Sequence, residues 1–488
     1  MLNSIVEAIA KYSLETPDKL CIADRKREYT YREYWENIYG YAKYLRDQGI
    51  KKGDCIVVRN SQSVETLIAG LAIQLIGAIF VPVEKAIAED RMLEIIHAVE
   101  AKCYIAHQKI NADVPFEKME EVTTQKASCE KIESVIFPDS QDIAEILFTT
   151  GTTGVSKGIV LTHLSVVAVS ENVIDGVEMD KDNVELIPVP LSHSHGLRRY
   201  YSNMLNGSTV VILNGVAYAK VVFDCIDKYK VNSMDLVPAA LTTLLNLSGE
   251  KFSEYRDQFR YIQLGSAPIP ENDRKKLREL LPKTRLYNFY GTTESGCSCI
   301  IDFNKHPEKR NCIGKPSKHA SFVFFNDEGI KIKATKENPG LLACSGAMNM
   351  LCYHNEPKLS DEVFSDGFIK TQDIAYQDEN GMIYLIGRQG DVIECGGTKI
   401  APTEIEEAAM RHPAIKECVC VPVDNQITGK EPKLYVVLES DYTFDYTEIY
   451  QFLKLNLEAY KVPKKIEEIN EVPRTYNGKI DRKVLIKS

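Results

Sequence analysis

The sequence predicts an α/β protein: a large N-terminal domain of two α/β halves plus a β-rich subdomain, followed by a small, mobile α+β C-terminal domain. Three observations predict it. Short β-branched runs alternate with longer helical patterns up to about residue 300, the signature of parallel strands covered by helices. The pattern then changes to short strands and turns, and a fresh series of strands and helices starts after Arg388. A chain of 488 residues also exceeds what one hydrophobic core serves, so two or three domains are expected.

In the first half, CIVVRN, AIFVPV and CYIA read as strands, with helices at 64–75 and 91–99 between them. The second half repeats the rhythm with strands TVVIL, SMDLVP, YIQLG and RLYNFYG and helices at 221–230, 239–248 and 272–281. From about Ile313 to Tyr384, the segments SFVFFNDEG, GFIKTQD and ENGMIYLIG suit a β-rich subdomain. Beyond Arg388 come a helix at 402–411, the strands CVCVPV and LYVVLES, a helix at 447–458 and a basic tail.

Composition narrows the function. A formal net charge of −10 argues against a nucleic-acid surface, which needs clustered Lys and Arg. Glu7, Lys11 and Glu15 interrupt the N-terminal apolar stretch, so no signal peptide is read there. The most apolar run, Leu67 to Val83, holds Gly70, Gln74, Gly77 and Pro82 and falls short of the roughly 20 residues that span a bilayer, so no membrane span is expected. The 13 cysteines include no C-x-x-C pair and are read as reduced thiols, mostly in the core. These features point to the cytoplasm.

The segment ILFTTGTTGVSKGIVLTH, residues 146–163, places an apolar strand before six consecutive Thr and Gly residues and ends its loop at Lys157. Glycines let successive N–H groups turn toward one anion, hydroxyls add donors, and the ammonium supplies a point charge, so Thr149, Thr150, Gly151, Thr152, Thr153, Gly154 and Lys157 form a triphosphate cradle. It is not a Walker loop. That pattern needs Gly before Lys and a hydroxyl after it, whereas Ser156 precedes Lys157 and Gly158 follows.

With this loop, the chain resembles the adenylate-forming enzyme superfamily: acyl-CoA and aryl-CoA ligases, adenylation domains of peptide synthetases, and firefly luciferase. The motifs are closest to those of acyl-CoA ligases. The resemblance runs from TYREYWENI to the last ten residues, with five further motifs in the family's order: PLSHSHGL, LGSAPIP, YNFYGTTES, TQDIAYQDENGMIYLIGRQGD and PRTYNGKIDRK. It implies ATP, Mg²⁺ and CoA, or the phosphopantetheine of a carrier protein, as cofactors, and a carboxylic acid as substrate.

The resemblance also implies roles. In YNFYGTTES, Asn288, Tyr290, Gly291 and Thr292 line the nucleotide, Tyr290 stacking on the purine, while Thr293 donates to the α-phosphate and Glu294 is the metal ligand. Gly265, Ser266 and Ala267 form the turn between adenine and acyl pocket, which Gly291 also borders. Asp373 accepts the ribose hydroxyls and Arg388 binds ribose or phosphate; Gln372 stands where the family has Gly. His193 gates the carboxylate pocket, with Ser194 beside it and His195 read as structural. Ser194 occupies the place of an Asp that holds an amino group, which disfavours an α-amino acid. The H-x-H-G-L form resembles malonyl-type and oxalyl-type ligases. The adjacent Arg198 and Arg199 are read as surface residues, with a second-carboxylate role for one of them as the alternative.

By the same resemblance Lys479 is expected to bridge the substrate carboxylate and the α-phosphate and to be catalytic, with Thr293, Glu294 and His193. The division that follows is an AMP-binding domain over 1–387, a hinge at 388–390 centred on Gly390, and a lid over 391–488. Gly396 and Gly397 match family glycines that border the pantetheine arm, a plain turn being the alternative, and the Lys-rich tail from Lys461 is a solvated face or a landing site for CoA phosphates or an acidic carrier. The expected reaction is carboxylate activation to acyl-AMP with release of pyrophosphate, then thioester formation with CoA. The alternatives are loading of a discrete carrier protein and, more remotely, a non-catalytic AMP-binding protein.

Overall fold

The computed structural model describes residues 2–128, 132–149, 157–267, 269–309, 311–396, 398–474 and 480–486. The chain divides into two compact units: residues 1–309, 313–322 and 344–369 in one, and 310–312, 323–343 and 370–488 in the other.

In the first unit, one sheet runs in spatial order Cys352–Tyr353, Lys157–Thr162, Ile143–Thr149, Ile79–Val83, Cys55–Arg59, Cys103–Ala106, Phe116–Lys118. The strands from Ile143–Thr149 to Phe116–Lys118 pair in parallel, and the other two are antiparallel. The helix Val64–Leu75 is buried along its whole length, as its continuous apolar sequence requires. A second sheet orders Gly296–Asp302, Arg285–Thr292, Tyr261–Leu264, Ser233–Leu236, Val184–Ile187, Thr209–Ile212, Leu20–Ala23 and Glu28–Thr30. The helices Ala219–Tyr229, Pro238–Ser248 and Glu271–Leu280 lie within a residue or two of their expected positions.

The two halves are not contiguous in sequence, contrary to the simplest reading. Leu20–Ala23 leaves the N-terminal half and pairs in parallel with Thr209–Ile212, Ile22 opposite Val210. The chain then turns through Thr30, whose side chain accepts from the Glu33 N–H while the Glu33 carboxylate accepts from the Thr30 N–H. This capping box starts the helix Tyr31–Asp47 over the first half.

In the second unit, Phe368–Gln377 pairs antiparallel with Ile383–Arg388. A further sheet orders Thr398–Ile400, Ile393–Cys395, Gly429–Leu438 and Ile415–Asn425, with Lys465–Glu468 parallel to Gly429–Leu438. Ile405, Ala408 and Leu453 from the helices Pro402–Ala409 and Tyr446–Asn456 form a core with Cys420 and Leu434. On the other face Val419, Val421 and Tyr435 cluster with Leu485 of the helix Arg482–Ile486. Among the described residues no helix is long and apolar enough to cross a membrane. Twelve described cysteines are free thiols and nine of them are buried, as the sequence suggested.

Candidate functional site

The strands Ile143–Thr149 and Lys157–Thr162 form a hairpin in which Thr149 faces Lys157. Thr150, Gly151, Thr152, Thr153 and Gly154 between them lie outside the described residues, as do Gly397 and Lys479. The hairpin delivers the Lys157 ammonium to the face of Tyr353, 5.4 Å from the ring centroid. The Tyr353 hydroxyl donates to Oε1 of Glu294 at 2.9 Å. Lys157 and Glu294, from different sheets, therefore meet at one aromatic side chain.

The Glu294 turn is tightly specified. Arg285–Thr292 and Gly296–Asp302 are antiparallel, and at Gly291 a Cβ would stand 1.8 Å from the Gly296 carbonyl oxygen, so only glycine fits. The Ser295 N–H donates to Thr292 Oγ1, and the Thr292 N–H donates to Ser295 Oγ. Arg198 donates to the carbonyls of Thr292 and Thr293 at 3.1 and 2.8 Å. Asn288 and Tyr290 lie on the same strand, opposite Ile301 and Cys299.

The surface reading of Arg198 and Arg199 is overturned. Arg199 is 1% exposed, and its guanidinium donates to the buried Glu185 at 2.8 and 2.6 Å. A cation taken out of water needs such a carboxylate. Arg198 spends its donors on the Glu294 turn, and burial pulls its guanidinium below the usual value. Neither matches the expected exposed pair.

Around the helix Ser194–Asn206, His193 stands at the N-cap and pairs with Glu84, whose carboxyl that hydrogen bond holds below its usual range. Ser194 Oγ lies 3.3 Å from Thr293 Oγ1, joining the gate segment to the Glu294 turn. His195 joins a buried carboxylate to the Gly265 turn. Its Nε2 is 3.0 Å from Oδ1 of Asp235, which is fully buried, and its Nδ1 is 3.2 Å from Ser266 Oγ. A Cβ on Gly265 would stand 3.2 Å from this ring, so His195 packs directly on the turn that also carries Ser266 and Ala267.

In the second unit, Asp373 and Arg388 face each other across the hairpin, with Arg388 Nε 3.5 Å from Asp373 Oδ1. Gln372 adopts φ of 66° and so keeps the left-handed turn that glycine would supply. Its carbonyl accepts from the Gln389 N–H at 2.7 Å, next to Gly390, whose φ is 96° with open space around it. The Gly396 N–H donates to the Thr428 carbonyl. The solvated reading of the tail fails at its first residue: Lys461 is 5% exposed and pairs with Glu404 at 2.6 Å and Glu458 at 3.0 Å.

Sequence reading missed Tyr353, Glu84 and Asp235. Tyr353 sits in a short apolar run that reads as core, whereas Asp235 left a signal, a carboxylate inside the strand SMDL. Among the described residues no group of three or more potential ligands could hold a metal ion by itself. Glu294 suits a nucleotide-borne Mg²⁺ instead: it is a hard oxygen donor, partly exposed, with no hydrogen-bond partner for Oε2 among the described residues.

The AMP-binding enzyme family matches residues 10–354, and the AMP-binding enzyme C-terminal domain matches residues 404–479. A 2-succinylbenzoate–CoA ligase of Bacillus cereus is 27% identical, with 96% of each chain covered. ATP-bound MatB from Rhodopseudomonas palustris superposes with a TM-score of 0.88 at 22% identity, covering 100% of this chain and 99% of that one. The o-succinylbenzoate CoA synthetase of Bacillus subtilis, solved with its acyl-adenylate intermediate, gives 0.83 at 23% identity, covering 98% and 97%.

Proposed function

Since this chain belongs to the AMP-binding enzyme family, we propose that it activates a carboxylic acid with ATP, releasing pyrophosphate, and passes the acyl group from the acyl-adenylate to CoA. The observation that carries this reading is the convergence of Lys157 and Glu294 on Tyr353, which puts a cation and a hard carboxylate at the end of a Thr/Gly-rich loop. Relatives named as CoA ligases over nearly the whole chain favour CoA over a discrete carrier protein.

The acid is bound near His193, Ser194 and the Gly265–Ala267 turn, and its carboxylate attacks the α-phosphate in line. Lys157 and the loop before it hold the phosphates that leave. Thr293 and Lys479 screen charge developing at the α-phosphate, and such preorganised electrostatics usually supply the largest catalytic term. Mg²⁺ supplies further positive charge on the phosphate oxygens when bound, and Glu294 is the residue that would hold it. Asp373 and Arg388 take the ribose. The acyl-adenylate is a mixed anhydride open to hydrolysis, so residues 391–488 act as a lid that turns about 388–390 to bring Gly396 and Gly397 toward the thiol. Burial of nine free thiols fits a reducing, cytoplasmic compartment.

The test is pyrophosphate release from Mg·ATP against a panel of carboxylic acids, with and without CoA, with mass detection of the product. CoA-dependent turnover yielding one acyl-CoA supports the proposal. Release without a CoA product points to a carrier protein, and no release with any acid sinks the enzymatic reading.

A further inference from the structure

We infer that Tyr353 is a positioning residue of the nucleotide site: its hydroxyl sets the rotamer of the Glu294 carboxylate while its ring seats the Lys157 ammonium. The inference rests on reading those two groups as nucleotide-binding.

The backbone on which Tyr353 stands is fastened to both partners. The Met350 N–H donates to the Glu294 carbonyl at 2.7 Å, and the Leu351 and His354 N–H groups donate to Val160 and Gly158 at 2.8 and 2.7 Å. Its own N–H donates to Ser360 Oγ at 3.0 Å. The residue is 5% exposed and its side chain has two rotatable bonds, so the ring is fixed once the strand is. A carboxylate oxygen can only accept here, so the hydroxyl is the donor of the pair. A donor committed to Oε1 restrains the carboxylate and leaves Oε2, which has no hydrogen-bond partner among the described residues, for a metal. One rigid side chain thereby fixes the spacing between a cation and an anion that must address a single triphosphate.

The experiment is calorimetric titration of the full-length protein with Mg·ATP, and with ATP in EDTA, for the unchanged chain, Tyr353→Phe, Glu294→Gln and the double variant. Tyr353→Phe is expected to weaken Mg·ATP about three- to tenfold, the range of one lost hydrogen bond, and metal-free ATP less than twofold. In the Glu294→Gln background it should add nothing, because its effect passes through that carboxylate. Equal losses for both forms of ATP, effects that multiply in the double variant, or an unchanged affinity would each overturn the assignment. Should Tyr353→Phe fold poorly, Ser360→Ala, which releases the Tyr353 amide without touching either charged partner, should give a loss confined to Mg·ATP, and equal losses for both forms of ATP would overturn the assignment. Failure of the unchanged chain to bind Mg·ATP would sink the nucleotide reading as well, whereas a loss in Glu294→Gln without one in Tyr353→Phe would sink only the role of Tyr353.

Discussion

The Tyr201 hydroxyl donates to Oε2 of Glu145 at 2.8 Å, with both residues 2% exposed and Glu145 on the strand that leads into the Thr/Gly loop. Burial pushes the Glu145 carboxyl up to about 7 from an ordinary 4.5. Between those values the folded protein keeps a proton that the unfolded chain releases, so this group makes stability fall as pH rises from about 4.5 to about 7. His163, lowered by burial to about 4 from 6.5, acts in the opposite direction over nearly the same window. A difference measurement separates them. Glu145→Gln should match the unchanged protein near pH 4.5 and exceed it by about 1–3 kcal/mol above pH 7. Urea denaturation at both pH values checks this, and a gap independent of pH would refute it.

Glu185→Ala strands the Arg199 guanidinium in the core. The expected loss is about 3–5 kcal/mol, because an uncompensated buried charge costs more than the pair contributed. Denaturant titration measures it. A change below about 1 kcal/mol would mean that water reaches Arg199.

Gln372 holds a left-handed conformation, which a β-branched side chain tolerates poorly. Gln372→Val should destabilise by about 1–2 kcal/mol, while Gln372→Gly should be nearly neutral. Equal stabilities for the two variants would remove the left-handed turn before Asp373.

Lys479→Ala should abolish adenylate formation yet spare transfer to CoA from a supplied acyl-adenylate, because charge cancellation at the α-phosphate belongs to the first half-reaction only. Separate assays of the two half-reactions decide it. Loss of both would reassign the lysine.

Local pattern made most of the elements readable. The helix at 64–75 has the boundaries its apolar run prescribes, and the strand at 103–106 does too. Motif residues in a single stretch were equally readable, since Thr292, Thr293 and Glu294 occupy one tight turn. What could not be read is what arrives from a distance. Leu20–Ala23 pairs with a strand almost two hundred residues later, and nothing local specifies such a partner. Tyr353, Asp235 and Glu84 matter through the groups they touch, and a single sequence carries no record of touch. Arg198 and Arg199 were misplaced for a related reason: charge predicts exposure only until a buried carboxylate or a set of carbonyls is available.

The strand Cys352–Tyr353 closes the edge of the sheet that bears Lys157. During synthesis that edge waits, its amides unpaired, until residue 354 has left the ribosome. A nascent chain stopped short of that point would carry the phosphate-loop hairpin as an open template for pairing with another chain. The order of translation therefore leaves that edge of the N-terminal half uncovered until its late-arriving strand docks.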